Sequence, residues 1–419
     1  VLLCMDFPYR VTDTNGANST TTTLFYGFIP DTAAPGPGLP ASCSLPGASS
    51  NPYAGSESPF RSIAPGTSKT NFLVAMLTSS NLAQAELVID RGVASDGSFP
   101  TQTVYLAKSS DVNRNIRYPF FDNAIFNTRL RGNYSMQRTN ADPSYSFRDI
   151  LGLETGSGSP ILVANSSFVP GALADSLTSW SGDLFENSGQ INILTLLNAG
   201  ALGSYGTVIE PCAYVQKFPA AQDYFYQSRG FTMAECYYQS VTNPYQGLMV
   251  GEPLAAPFAQ APAASWSNLP LNALLAGTTN LSLQANAADA DRPVQQVDLF
   301  VDGTYAQTLT NFPPGQGNNL TVTIRGRPMI YRVRASESIP SVVTNLSAVL
   351  NATTSTNATK VRAFAHGDRI ELQSFDLTQP AAQIPISAVS TVGTGSALTT
   401  FIAASRTNFL DTVAFGIRS

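Results

Sequence analysis

The chain has one histidine, His366, and only four cysteines in 419 residues. The cysteines form no Cys-x-x-Cys pair, so the ligand spacing of a structural zinc site is absent. The histidine is predicted to lie in a solvated turn at the tip of a hairpin, where it cannot be assumed to serve as the base of a cysteine hydrolase. A zinc site is therefore excluded, and a thiol enzyme would need an unusual base.

Charged residues are also scarce, at 12% of the chain, which is about half the share of an ordinary soluble domain. Lysine and arginine total 23 and are scattered singly, and the formal net charge is -5, so no basic cluster can follow a nucleic-acid backbone. The surface must be covered by serine, threonine, asparagine, glutamine and glycine, as is typical of secreted or self-associating proteins. We therefore expect an extracellular or cell-surface location and a homo-oligomer or surface assembly, with no nucleic-acid partner.

Long hydrophobic runs are absent as well. No apolar run approaches the roughly 18 residues of a transmembrane helix, so no membrane span is predicted. The chain opens without methionine, inside a predicted strand over residues 1–7, and shows no signal peptide. We therefore expect a longer precursor whose N-terminal part is missing.

The length predicts several domains. Residues 1–258 alternate predicted strands and helices, which indicates an α/β domain with a mainly parallel sheet. Within it, residues 8–68 carry a threonine run and many prolines and glycines, and they are predicted to form a long irregular loop. After a linker rich in proline and alanine, alternating apolar and polar residues predict a β-sandwich over 259–326, and a small α+β module follows over 327–419.

The segment from Gly189 to Pro219 organises the first domain, and it predicts a helix over 191–201 and a buried strand over 205–209. Before it, the sequence predicts a short helix ending near Leu153, a strand over 161–164 and a helix over 171–180. Glu210 and Cys212 follow the predicted strand over 205–209. Sites in open α/β sheets form beyond the carboxyl ends of strands, so both residues are candidates for function. In an oxidising compartment, Cys212 could instead form a disulfide with Cys236, and Cys4 one with Cys43.

Several motifs resemble an uncharacterised family of secreted bacterial proteins that is itself distantly similar in fold to gingipains and caspases. They are Gly171-Ala-Leu-Ala-Asp-Ser-Leu-Thr-Ser, the run from Ala199 to Glu210-Pro-Cys, Lys217-Phe-Pro, and Gln246-Gly-Leu-Met-Val-Gly-Glu-Pro. The match covers about residues 1–260 and implies a caspase-like sheet that is incomplete at its N-terminus. The later modules resemble immunoglobulin-like and small α+β units of bacterial surface proteins, where such units serve assembly.

The resemblance also has implications for the individual candidate catalytic residues. The family pattern usually has histidine where this chain has Ser176, and a serine hydroxyl cannot act as a base toward a thiol. Cys212 matches the family's Glu-Pro-Cys position. The resemblance therefore implies a catalytically degenerate domain, and the alternative is a cysteine hydrolase that uses Cys212 with Glu210, Asp175 or the missing N-terminal part as its base.

A calcium site is the one cofactor site for which the sequence offers candidates. Asp289, Asp291 and Asp302 cluster in the predicted sandwich and could chelate calcium, but they lack the spacing of a dedicated calcium loop, which favours ordinary turn and edge aspartates. The sequence as a whole favours a structural or assembly protein over a peptidase, and extracellular fibres or layers are the expected form of assembly. A base beside the Cys212 sulfur in an open cleft would support the enzyme, whereas burial or a disulfide would count against it.

Overall fold

A computed structural model describes all of the chain except residues 32–35, 56–71, 122–134, 141–145, 187–188, 261–262, 267–268, 271–272, 276, 279, 281–282, 287–296, 302–303, 310–315, 367–368, 377, 380–383, 392–409 and 412–419. The chain divides into two compact units, one within residues 1–259 and one within residues 260–419. No helix in the part of the chain so described is both long enough and apolar enough to span a membrane.

The first unit is built on an eight-stranded sheet whose strands are β1 (Leu2–Cys4), β4 (Ala75–Leu77), β5 (Thr103–Lys108), β6 (Met136–Asn140), β7 (Ile150–Thr155), β8 (Phe168–Ser176), β9 (Gly203–Thr207) and β10 (Gly247–Gly251). Their order is β1-β4-β10-β9-β8-β7-β5-β6. Every neighbouring pair is parallel except β9 and β10. The predicted mainly parallel α/β sheet is thus confirmed.

The helices of this unit are α1 (Thr20–Tyr26), α2 (Leu82–Ser95), α3 (Pro160–Ala164), α4 (Ile193–Asn198), α5 (Gln222–Ser228) and α6 (Met233–Ser240). Polar N-caps start several of them, because a side-chain oxygen satisfies an amide that the first turn leaves without a partner. Asn192 caps α4 in this way, and Thr232 with Glu235 forms a capping box on α6.

The elements predicted between residues 150 and 180 are wrong. The helices expected there are the strands β7 and β8, and the strand expected over 161–164 is the helix α3. All six residues of β7 and the last six of β8 are buried, because a central parallel strand is covered on both faces and loses the alternation that marks a strand. Burial at the centre of the sheet here overrides the helix propensity of the alanines and leucine of β8.

The predicted irregular loop over residues 8–68 also contains regular structure. A hairpin of β2 (Arg10–Asp13) and β3 (Gly16–Ser19) leads directly into α1. The Ser19 hydroxyl accepts a hydrogen bond from the Thr22 amide at 3.0 Å, and Thr23 donates its hydroxyl proton to the Ser19 carbonyl at 2.8 Å. The threonine run therefore forms a capped helix, because its side chains satisfy backbone groups while they are largely buried.

The two faces of the sheet are covered by different helices. Leu153 of β7 packs with Leu162 of α3 and Leu196 of α4 on one face. Gly152 points to the opposite face, because successive side chains of a strand alternate, and there it meets Tyr224 of α5. The Tyr224 hydroxyl donates to the Leu173 carbonyl at 3.1 Å.

Replacing Gly152 by alanine is expected to destabilise the first unit by about 1–3 kcal/mol, because the new methyl group would overlap the Tyr224 ring and lie 2.9 Å from Val104 Cγ1. Gly47→Ala is the matched control, since nothing lies within 4 Å of the point that its β-carbon would occupy and its φ is ordinary. Of the two tryptophans, Trp180 lies in the first unit and Trp266 in the second. Urea unfolding in a Trp266→Phe background therefore reports on the first unit, and equal stability of the two alanine variants would contradict the close packing.

In the part of the second unit that the structure describes, small sheets are accompanied by two helices. Its strands are β11 (Ala263–Trp266), β12 (Leu283–Asn286), β13 (Val297–Val301), β14 (Thr304–Leu309), β15 (Asn319–Ile324), β16 (Arg327–Arg332), β17 (Val361–His366), β18 (Arg369–Ser374), β19 (Ile386–Thr391) and β20 (Leu410–Asp411), and its helices are α7 (Ile339–Leu350) and α8 (Thr353–Thr359). β11 pairs with β12 and β13 with β14, while β16-β15-β19 and β17-β18-β20 form three-stranded sheets.

Strand β15 departs from the predicted division of this region. The sequence places it at the end of the β-sandwich, whereas the structure pairs it with β16 and β19 in a small antiparallel sheet. Its alternate residues Leu320 and Val322 are buried in one core with Leu346 of α7, which explains the pairing. The calcium candidates Asp289, Asp291 and Asp302 lie outside the described residues.

Candidate functional site

A pocket of about 460 Å³ lies at the carboxyl ends of the parallel strands of the first unit. Asp111 and Arg114 follow β5, Thr178 and Ser179 follow β8, and the segment from Glu210 to Ala213 follows β9. Parallel strands bring their carboxyl ends to one edge of a sheet, so segments far apart in sequence meet here. The structure thus places both Glu210 and Cys212 in a pocket.

Two glycines after β7 let the Arg114 segment lie against the sheet. A β-carbon at Gly156 would overlap the Arg114 carbonyl, and one at Gly158 would overlap the guanidinium. Arg114 then donates to Gln190 Oε1 at 3.1 Å and pairs with Asp111 at 3.4 Å. One guanidinium and two carboxylates therefore line the pocket, a mixed charge suited to a polar or zwitterionic ligand.

Cys212 is held in a sharp turn and in a disulfide. Its φ is 58°, a left-handed conformation that few non-glycine residues adopt. Its amide donates to Glu210 Oε1 at 2.8 Å. Its sulfur is bonded to that of Cys43, and the two Cα atoms lie 5.2 Å apart, within the usual range for a disulfide.

The disulfide pairings predicted from the sequence are therefore wrong. Cys236 is buried in α6 and its sulfur faces the Phe231 carbonyl at 3.7 Å, while Cys4 is exposed at the end of β1; neither is in a disulfide. Four cysteines allow three pairings, and sequence spacing cannot choose between them. The fold determines which cysteines pair, because it brings the turn of Cys43 against the segment after β9.

The remaining catalytic candidates are not beside Cys212 in the pocket. The Ser176 hydroxyl is buried and donates to the Ser157 carbonyl at 2.8 Å, so its only proton is already engaged. Asp175, also buried, lies 2.6 Å from Arg117 Nη1. His366 belongs to β17 in the second unit. Of the bases predicted from the sequence, Glu210 lines the pocket with Cys212, and the carboxylate of Asp111, which was not predicted, lines it too.

A buried lysine anchors the Cys43 segment. Lys217 Nζ donates to the Ser42 carbonyl at 2.9 Å and to Gln246 Oε1 at 3.0 Å. Burial lowers the pKa of Lys217 to about 7, although the charges of Asp31 and Glu210 oppose the shift. The Lys-Phe-Pro motif thus has a structural role, because its amine fixes the backbone next to the disulfide.

Behind the pocket, a fully buried ionic cluster lies between the sheet and α5. Glu154 of β7, Asp175 of β8 and Asp223 of α5 are all completely buried. Arg117 Nη1 lies 3.5 Å from Glu154 Oε2 and donates to the Pro219 carbonyl at 3.0 Å, and Nη2 donates to the Thr155 carbonyl at 2.9 Å. This guanidinium therefore ties the segment after β5 to both β7 and the start of α5.

The electrostatics of the cluster favour neutral carboxyl groups. Burial raises the pKa of Asp175 to about 6, even though the Arg117 charge lowers it. Burial also raises the pKa of Glu154 and Asp223 well above the usual range, and the neighbouring carboxylates add to both shifts. One positive charge cannot compensate three ionised carboxylates in a medium of low polarity.

Sequence analysis missed Arg117, Glu154 and Asp223, and it noted Lys217 only within the Lys-Phe-Pro motif and Cys43 only as a partner for Cys4. Glu154 carries a usable signal, since a carboxylate inside the apolar run Ile-Leu-Gly-Leu-Glu-Thr must find a buried partner. Arg117 and Asp223 carry no comparable signal, because neither lies within an apolar run. Their roles depend on contacts between residues far apart in the chain.

No protein-family model and no curated protein matches the chain. Among solved structures, it is similar to one described as "Structure of Protease", with a TM-score of 0.36 and 10% sequence identity, over 65% of this chain and 69% of that chain. Because the likeness is so distant, what the site can do follows from its own residues.

Proposed function

We propose that the chain is a secreted or cell-surface structural protein whose first unit is a catalytically degenerate domain of caspase-like or gingipain-like type. The observation that carries the proposal is the disulfide between Cys212 and Cys43. Among the described residues, Cys212 supplies the only sulfur that lines the pocket. A disulfide sulfur is not a thiolate and cannot act as the nucleophile of a peptidase.

The last residue of β8, Ser176, supports the same proposal. A thiol peptidase needs a base that takes the proton of its nucleophile. Ser176 occupies the position where the sequences that the chain resembles usually have histidine, and its hydroxyl is buried against the Ser157 carbonyl. Among the described residues, the lining of the pocket therefore offers polar groups for binding but not the pair of thiolate and imidazole that cleaves a peptide bond.

The disulfide and the composition together support an extracellular or cell-surface location. Disulfides persist in oxidising compartments and are rare in the cytosol. A charged fraction of 12% leaves an uncharged polar surface that repels other copies weakly.

Exposed apolar residues support self-association through the second unit. In the β16-β15-β19 sheet, Ile330 and Val389 flank Thr321 in register, and they are 58% and 50% exposed. Exposed apolar groups on a sheet face favour contacts with another surface. We expect the unreduced protein to form multimers of its 44.4 kDa chain in light scattering and regular particles in negative stain. Monomers alone at high concentration would refute the assembly role.

The alternative function, a cysteine hydrolase, is tested by Cys43→Ser, which frees the Cys212 thiol beside Glu210. We expect no more hydrolysis of casein or of peptide thioesters by Cys43→Ser than by the Cys43→Ser/Cys212→Ser double variant, because the carboxylate of Glu210 is a far weaker base toward a thiol than an imidazole is. Iodoacetamide labelling followed by mass spectrometry checks that Cys212 is reactive in the single variant. Turnover that requires Cys212 would overturn the degenerate assignment and establish the enzyme.

A further inference from the structure

Strand β16 lies at one edge of the β16-β15-β19 sheet, so among the described residues one of its sides has no neighbouring strand. It follows β15 through a two-residue turn between Ile324 and Arg327, whose residues have φ values of 54° and 75° and thus form a type I′ hairpin. In such a hairpin the flanking pair is hydrogen-bonded, and bonded and non-bonded pairs then alternate along the two strands. The N–H and C=O groups of Ile330 and Arg332 therefore point away from β15, toward the free edge.

Two features limit this free edge to a short stretch. Pro328 precedes it at an outward-facing position and has no N–H to offer. Arg334 follows it, and its amide already donates to Glu337 Oε2 at 2.7 Å. Between these limits, the backbone groups of Ile330 and Arg332 that face the edge have no hydrogen-bond partner in the part of the chain that the structure describes. The edge can therefore pair with only a short extended segment.

The same stretch lines a groove of about 460 Å³ together with Gln316 and Gly317. Ile330, Arg332 and Arg334 are exposed and lie on one face of the chain, because alternate residues of an extended segment share a face. Neither guanidinium forms an ion pair or a hydrogen bond with another described residue. The groove therefore presents two uncompensated positive charges beside unpaired backbone groups.

The surroundings of the groove are basic, although the whole chain has a formal net charge of -5. Between residues 319 and 362 the only acidic residue is Glu337, whereas the basic residues are Arg325, Arg327, Arg332, Arg334, Lys360 and Arg362. The Glu337 carboxylate is already engaged, since it accepts from the Tyr331 hydroxyl and from Asn345 Nδ2 at 2.7 Å. A second copy that offered the same edge would bring like charges together, which is unfavourable, so charge complementarity favours an acidic partner.

We propose that the edge of β16 binds an extended acidic segment of another protein, which adds to the sheet as a further strand. Main-chain hydrogen bonds to Ile330 and Arg332 hold the segment, and its side chains determine specificity. Carboxylates at two alternate positions lie opposite Arg332 and Arg334, because side chains directly opposite on one face are about 5 Å apart. An apolar residue two positions further lies opposite Ile330. This inference goes beyond the proposed self-association, which uses the exposed face of the sheet.

The experiment titrates the full chain into a fluorescein-labelled peptide, Thr-Val-Thr-Glu-Thr-Glu-Thr, and follows the fluorescence anisotropy. We expect saturable binding that weakens as salt screens the charges. Arg332→Gln/Arg334→Gln should weaken binding about tenfold, because two cross-strand ion pairs are lost. Arg362→Gln is the control and should keep the affinity nearly unchanged, since this exposed arginine does not line the groove.

Methylation of the peptide amides separates strand addition from simple charge attraction. The amides of an added strand alternate between those that face β16 and those that face away. Of two peptides methylated at alternate amides, one should lose binding and the other should keep it. Equal affinity of these two peptides, or no binding of the unmethylated peptide, would overturn the proposal. Multimers of the chain that dissociate in Arg332→Gln/Arg334→Gln would also overturn it, because a second copy would then occupy the edge.

Discussion

Arg117→Met is expected to lower the free energy of unfolding of the first unit by about 3–5 kcal/mol at pH 8. The side chain is fully enclosed, and its charge is the nearest compensation for three buried carboxylates. Methionine fills a similar volume but leaves the carbonyls of Thr155 and Pro219 without their donors. Urea unfolding followed by Trp180 fluorescence in the Trp266→Phe background measures the loss.

The loss should depend on pH in a direction fixed by the raised pKa values. In the folded protein Asp175 has a pKa of about 6, above the ordinary 3.8, so the folded state holds this proton more tightly than the unfolded chain. Stability from that proton is present at low pH and is lost as the pH rises through about 6. Without Arg117 the carboxyl groups hold their protons to still higher pH, so the variant should recover much of its stability at pH 5.

Arg114→Met provides the matched control. Arg114 is three residues away, partly exposed, and paired with Asp111 at the surface of the pocket. Exposed ion pairs contribute at most about 1 kcal/mol, so this variant should lose little and show no recovery at pH 5. Equal losses for the two arginine variants at pH 8 would show that the buried cluster does not depend on its guanidinium.

The sequence predicts the class of the fold because strands and helices are still seen to alternate along the chain, even where single elements are assigned to the wrong type. Residues 150–180 are assigned to the wrong elements, yet the run from α4 to β9 and the polar residues after it are located closely enough to place Glu210 and Cys212 at a strand end. Strand ends follow from local patterns of apolar residues and turns. The identity of strands buried on both faces does not, since their composition also suits helices.

The composition of the site follows from the sequence only in part. Glu210 and Cys212 are neighbours in the chain, so one motif reveals both. Cys43 reaches Cys212 through the packing of a segment with little repetitive structure. Arg117 reaches the Pro219 carbonyl across 102 residues of the chain. Contacts of this kind depend on the order of strands in the sheet, which no local pattern encodes.

Removing the disulfide is expected to lower the free energy of unfolding of the first unit by about 2–4 kcal/mol, because Cys43 and Cys212 close a loop across 169 residues. The entropy of a free chain of that length gives about 5 kcal/mol as an upper value, and residual structure in the unfolded state reduces it. Cys43→Ala, Cys212→Ala and the double variant should all lose a similar amount in urea unfolding. Wild-type protein with reductant should match them.

The equality of these losses is the decisive feature. Either single substitution breaks the same bond, so the second adds little, whereas two independent buried thiols would give losses that add. Cys4→Ala is the control, since this exposed cysteine is in no disulfide and should leave stability unchanged with or without reductant. Additive losses, or a wild-type stability that does not change with reductant, would show that the native protein lacks the disulfide. Cys212 would then be a free thiol in the pocket.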